Sequence, residues 1–209
     1  MKNGISDSLI DSVAMYYSDK LLQHGETPQG VDWNGVESQV LRFVQLCQII
    51  APAQAFTLLD FGCGFGSLYE YLSHNFRDFA YLGLDVSPDM IAAAKNRYPT
   101  ANAKFVNSSQ PPEPSDYALA SGIFNVRLEH TDTEWLSYIE ATIAKLNAAS
   151  RKGFAFNCLT SYSDRDKQRD YLYYAEPGYL FDLCKRQYSR NVALLHDYEL
   201  YEFTILVRK

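Results

Sequence analysis

The sequence predicts an α/β fold: a doubly wound, mostly parallel seven-stranded sheet, helices on both faces, and an antiparallel C-terminal hairpin strand. Three observations predict it. From about residue 55, short apolar runs alternate with amphipathic stretches of helical period. The first apolar run ends in "LLDFGCGFGSL", where a glycine-rich turn opens directly into a helical pattern. The last two runs, "NVALLHDY" and "YEFTILVR", are separated by a short gap and read as a hairpin.

The elements follow in order. Residues 6–23 form an amphipathic helix with Leu9, Ile10, Val13, Tyr17 and Leu21 on one face. "HGETPQGVDW" breaks it. Asn34 and Glu37 suit a helix N-cap and its capping-box partner, opening a second helix with Val36, Val40, Phe43, Cys47 and Ile50 on one face and Pro52 at its end. The first strand is "TLLDFG", followed by a helix over 67–76 and a second strand, "YLGLDV". Ser87, Pro88 and Asp89 supply a cap, a first-turn proline and a first-turn acid. "AKFVN" and "DYALAS" are strands three and four, joined through a proline-rich loop. Thr131 and Glu134 start a helix running to about Asn147, and "GFAFNCL" is strand five. Residues 160–176 are polar and tyrosine-rich and read as a lid; residues 177–188 form the last helix before the hairpin. Residues 1–54 are expected to cap a core that spans 55–209.

Composition narrows the function. The net charge is −6, and no basic run offers a footprint for nucleic acid or an anionic membrane. The four cysteines make no CxxC pair and sit in apolar segments, so buried thiols are expected and no metal site. Neither a leader-like apolar core nor a run of about 18 apolar residues occurs, so a cytoplasmic location is expected.

The glycine turn excludes two ligands by its spacing. A P-loop needs a lysine after the glycines, and none is there. A dinucleotide loop needs G-x-G-x-x-G, but the spacing is G-x-G-x-G, with Ser67 where the third glycine belongs. That serine disfavours a nicotinamide oxidoreductase. Asp60, two residues before Gly62, would repel a pyrophosphate and suits a positive group. Asp85, ending the second strand, is placed to hydrogen-bond ribose hydroxyls.

With "LLDFGCGFGSL", "YLGLDVSPDMI" and "DYALASGIFN" in order, the chain resembles the class I S-adenosylmethionine-dependent methyltransferases over residues 55–209. The resemblance implies a Rossmann-like core, S-adenosylmethionine as cofactor and S-adenosylhomocysteine as product. It places Gly62, Gly64 and Gly66 along the cofactor's tail, Asp60 near its ammonium and Asp85 on the ribose. Val86 and Met90 would flank the adenine. Asn107 and Ser108 stand where many members carry an acid for the adenine amine. Ser121 and Gly122 would lie under the sulfonium, Arg42 would meet the cofactor carboxylate, and Tyr17 would close over the site.

The acceptor is less legible. "SGIFN" departs from the Asn/Asp-Pro-Pro-aromatic motif of methylases acting on adenine or glutamine, which argues against those acceptors. His130 and His196 are the candidate general bases for a hydroxyl acceptor. Phe124, Asn125, Arg127, Asn157, Asp164 and Tyr174 are candidate substrate contacts. The loop that carries His24 and Trp33 is placed to fold over the pocket. The expected activity is methyl transfer to a small-molecule hydroxyl. Transfer to a small-molecule nitrogen, a protein or RNA methyltransferase that relies on a partner, and a non-catalytic nucleoside sensor are the alternatives.

Overall fold

The computed structural model describes residues 7–33, 35–51, 54–99 and 102–209. Seven strands form one sheet: β1 (Phe56–Phe61), β2 (Phe79–Asp85), β3 (Ala103–Asn107), β4 (Ser115–Ala120), β5 (Ser150–Leu159), β6 (Asn191–Leu195) and β7 (Glu202–Arg208). Their order is β3-β2-β1-β4-β5-β7-β6. β1 pairs in parallel with both β2 and β4, and the chain reverses its winding direction between them. β7 is inserted antiparallel between β5 and β6, so β6 runs parallel to β5 and ends at the same edge. The predicted class and the antiparallel closing strand are both observed.

Six α-helices surround the sheet: α1 (Asp7–His24), α2 (Val36–Cys47), α3 (Ser67–Asn75), α4 (Pro88–Arg97), α5 (Asp132–Ala148) and α6 (Pro177–Gln187). The caps expected at Ser87 and Thr131 form. Ser87 Oγ accepts from the Met90 amide at 3.2 Å, and Thr131 and Glu134 close a capping box. Asn34 lies outside the described residues, and Gly35 is the N-cap of α2.

Alternation along the strands divides the core in two. Leu59, Phe61, Phe154, Phe156, Phe203 and Ile205 pack on one face, with Trp135 and Ile139 of α5. Phe56, Leu58, Tyr81 and Leu206 pack on the other, with Phe43 and Leu46 of α2 and Leu68 and Leu72 of α3. The same alternation puts Asp60, Asn157 and Glu202 on the second face, near the carboxyl edge of the parallel strands. The expected face of α2 is rotated. Gln39, Arg42, Phe43, Leu46 and Cys47 are buried, while Val36 and Val40 are exposed. Phe43, Leu46 and Cys47 keep this side apolar, and Arg42 adds a polar partner across the fold. The four cysteines are buried free thiols.

Candidate active site

The glycine turn between β1 and α3 folds against the end of β2. The Gly62 and Cys63 amides both donate to the Leu84 carbonyl, at 2.7 and 2.9 Å. The Gly64 amide donates to Asp85 Oδ2 at 2.8 Å, and the Ser87 amide donates to Asp85 Oδ1 at 2.9 Å. Gly62 and Gly64 adopt φ values of 83° and 53°, the left-handed region in which glycine is unstrained. A methyl group on Gly62 would also come within 2.2 Å of Ile123 Cγ2. The turn therefore brings bare backbone and a fixed carboxylate to one spot at the switch point of the sheet, where such sheets hold ligands.

A cavity lies at this spot, lined by Asp60, Gly62, Gly64, Asp85, Val86, Met90, Ser108, Ser121 and Gly122, with Tyr17 from α1 and Val31 and Trp33 from the loop before α2. Asp60 is 2% exposed and accepts a 2.5 Å hydrogen bond from Tyr81 Oη. Burial pushes its carboxyl up to about 7, against the pull of that hydroxyl and with a contribution from the charge of Asp85. Asp85 is also raised by burial, opposed by the amides that donate to it. Ser121 Oγ is buried without a hydrogen-bond partner, a polar group left for a ligand.

The donor set suits a nucleoside carrying a positive tail: a carboxylate at the end of β2, a second at the end of β1, exposed glycine backbone and an orphan hydroxyl. The space is partly filled from the protein itself. The free volume is about 90 Å³, and a methyl group on Gly122 would come within 2.2 Å of the Trp33 ring. Trp33 therefore packs beside the space that a ligand of nucleoside size would need. Pro28–Val31 of that loop form a 3-10 turn, and Trp33 follows it.

A second cavity, about 410 Å³ in volume, meets the first at Tyr17, Val31, Trp33 and Gly122. Its other walls are Asp32 before α2, Ser38 and Arg42 of α2, Asn125 and Val126 after β4, Leu159 of β5, then Ser163, Lys167, Arg169, Tyr171, Leu172 and Tyr174 of the tyrosine-rich segment, and Glu199 to Glu202 at the hairpin. Arg42, 6% exposed, donates through Nε and Nη2 to Glu202 at 2.8 and 2.7 Å and stacks on the Trp33 ring at 3.9 Å. Asn157 Nδ2 donates to the same carboxylate at 2.5 Å, and its Oδ1 accepts from the Gly122 amide at 2.8 Å. A continuous polar chain thus runs from α2 through β7 and β5 to the backbone at Gly122.

The expected contacts divide accordingly. Asp60, Gly62, Gly64, Asp85, Val86, Met90, Ser108, Ser121, Gly122 and Tyr17 line the first cavity. Gly66 instead caps α3, with Tyr98 and Phe105 against it, and Asn107 donates to the Asp85 and Val86 carbonyls at 2.9 Å. Arg42 stands in the wall of the second cavity, tied to Glu202, with Asn125 and Tyr174 in other walls. Phe124 is core, and Asn157 is a buried bridge. Arg127 turns to the Leu128 and His130 carbonyls and to Asp132. Asp164 accepts from the Tyr201 hydroxyl outside the lining.

Both candidate bases lie outside the two cavities. His130 Nε2 is 3.0 Å from Ser12 Oγ, and its ring stacks on Trp135. His196 follows the end of β6 and packs between Tyr162 and Phe203. His24 ends α1, away from both linings. The reading of residue types missed Glu202, Lys167, Arg169 and Glu199. Glu202 shows one weak signal, an acid opening an otherwise apolar strand.

Comparisons with known proteins agree with this geometry. The family model described as a methyltransferase domain matches residues 59–153. The Mycobacterium tuberculosis protein named "Putative methyltransferase Rv1506c" is 58% identical over 163 residues, 78% of this chain and 98% of that protein. Trans-aconitate 2-methyltransferase of Methylobacterium nodulans is 31% identical over 100 residues, 47% of this chain and 34% of that enzyme. Among solved structures, the DhpI-SAM-HEP complex superposes with a TM-score of 0.70 at 17% identity, covering 98% of this chain and 99% of that one.

Proposed function

The chain belongs to the class I methyltransferase family, and from that premise we propose that it uses S-adenosylmethionine to methylate an oxygen of a small molecule held in the second cavity. The observation that carries this reading is the meeting of the two cavities at Gly122 and Trp33, one furnished for a charged nucleoside and the other large enough for a modest acceptor.

S-adenosylmethionine, when bound, supplies a methyl group on a sulfonium. The chain's own residues bind and orient. Asp85 would hold the ribose hydroxyls and Asp60 the ammonium, with Gly62 and Gly64 along the tail. Val86 and Met90 would flank the base, and Ser121 and Gly122 would border the reacting methyl. Asn157 fixes the Gly122 backbone by its hydrogen bond, which suits a reaction that depends on alignment. The helices α1 and α2 and the segment over 160–176 would close the acceptor's side and exclude water.

The placement of His130 and His196 shifts the acceptor chemistry. A neutral hydroxyl benefits from a base within hydrogen-bond reach, and neither histidine lines the cavities. An oxygen that is already ionised at neutral pH needs none and is the acceptor this site favours. The names of two relatives support a small-molecule reading: trans-aconitate 2-methyltransferase and the SAM-HEP complex of DhpI. A cytoplasmic location accords with it.

Mass spectrometry of a small-molecule panel incubated with the protein and methyl-deuterated cofactor tests the proposal. A mass gain on oxygen is expected. Transfer only to nitrogen, or only to protein or RNA, would contradict it.

A further inference from the structure

The second cavity contains more positive donor capacity than the protein itself uses. Three of its acids and bases are accounted for internally: Asp32 pairs with Lys20 at 2.7 Å and accepts from Tyr16 at 2.8 Å, and Glu202 and Arg42 pair with each other. Arg42 nevertheless keeps Nη1 buried without a hydrogen-bond partner among the described residues. Its Nε and Nη2 face Glu202, so the planar guanidinium turns Nη1 away from that carboxylate. Leaving a buried cationic donor unpaired is costly unless something else takes it.

Two further cations stand in the same lining. Arg169 reaches only the Asp166 and Gln168 carbonyls, at 3.1 and 2.8 Å, and among the described residues no carboxylate lies within ion-pair distance of it. Lys167 meets its neighbour Asp166 at 3.5 Å with both side chains largely exposed, a weak contact. Against them, among the described residues, the lining offers one carboxylate without a hydrogen bond or ion pair, that of Glu199. The lining balances three cations against three carboxylates, and what sets it apart is cationic N–H groups that no carboxylate takes up.

Resting on the methyltransferase reading, we propose that the second cavity selects an acceptor bearing an anionic group, a carboxylate or a phosphate, with Arg169 and Lys167 as its principal anchors and Arg42 Nη1 as a buried donor in the wall. Arg169 supplies the planar fork that matches either anion, and Lys167 adds a mobile point charge. The short segment that carries both, beyond β5, gives the acceptor end of the site its specificity. The glycine turn gives the cofactor end its own. Glu199, in the same lining, disfavours anions too bulky or too highly charged to avoid it.

The test uses the full chain saturated with S-adenosylhomocysteine, titrated calorimetrically with phenylacetate, benzylphosphonate and phenylacetamide. The two anions distinguish a carboxylate ligand from a phosphate-like one, and the amide keeps the shape without the charge. Binding of at least one anion is expected, at least about tenfold tighter than the amide and weakening as salt rises. The double variant Lys167→Gln/Arg169→Gln should lose about tenfold or more of that affinity while its affinity for S-adenosylhomocysteine stays unchanged. Equal binding of amide and anions would overturn the proposal. So would unchanged anion affinity in the double variant, or no binding of either anion at millimolar concentration. Cofactor-product affinity, measured first, separates failure of the cofactor assignment from failure of this one.

Discussion

At the scale of single residues, Asp60 sets the pH behaviour. Burial raises its carboxyl to about 7, so between the ordinary carboxylate value and about 7 the folded chain holds a proton that the unfolded chain has released. The unliganded protein should therefore lose stability as pH rises through that window, with Asp85 acting in the same direction. Binding runs the opposite way. An ammonium beside Asp60 favours its ionised form, so affinity for S-adenosylhomocysteine should rise by as much as about tenfold per pH unit below about 7 and level off above it. Calorimetry across that range checks the slope, and Asp60→Asn should flatten it. A flat profile in the unmodified protein would place the ammonium elsewhere. Asp60 was legible because it stands two residues before the glycines. Its hydrogen bond to Tyr81 was not, because it depends on the register of β1 against β2.

At the scale of elements, the strands and caps were readable because their signals are local. Ser87 and Thr131 cap the helices they precede, as their side chains and the following residues dictate. The inward side of α2 was partly readable: Phe43 and Cys47, with Ile50 just beyond, are buried as expected. Its valines were expected inside, yet Gln39 and Arg42 take that side because Arg42 meets Glu202 across 160 residues of chain. Removing one member of a buried pair of this kind typically costs about 3–5 kcal/mol, because it leaves the other charge buried and uncompensated. The loop between α1 and α2 carries the next consequence. Trp33 packs against Gly122 in the lining of the first cavity, whereas Trp135 is fully buried and donates to the Phe124 carbonyl at 2.8 Å. Saturation with S-adenosylhomocysteine should change the tryptophan emission, and Trp33→Phe should abolish the change without abolishing binding. Unchanged emission in the unmodified protein at proven saturation would mean that the loop stays in place.

At the scale of the whole molecule, the two halves of the site differ in how they are encoded. The cofactor side is built from the ends of β1, β2 and β4 and the turns that follow them, so three short motifs contain most of it. The acceptor side draws on α1, α2, the segment beyond β5 and the β6–β7 hairpin, which meet only when the sheet is complete. Insertion of β7 between β5 and β6 is what brings Glu202 beside Asn157 and Arg42. No spacing in the sequence reports that arrangement, and residue type alone favoured the histidines, which the fold leaves outside. Among the described residues no helix is long and apolar enough to cross a membrane.

The cavity at the glycine turn is expected to hold S-adenosylmethionine through Asp85. Isothermal titration of the protein and of Asp85→Ala with S-adenosylhomocysteine tests it most directly. One saturable site of roughly micromolar affinity is expected, weakened about 10- to 100-fold in the variant, with a raised melting temperature only where binding persists. An absence of heat together with an unmoved melting curve would contradict it, as would equal affinity in the two proteins.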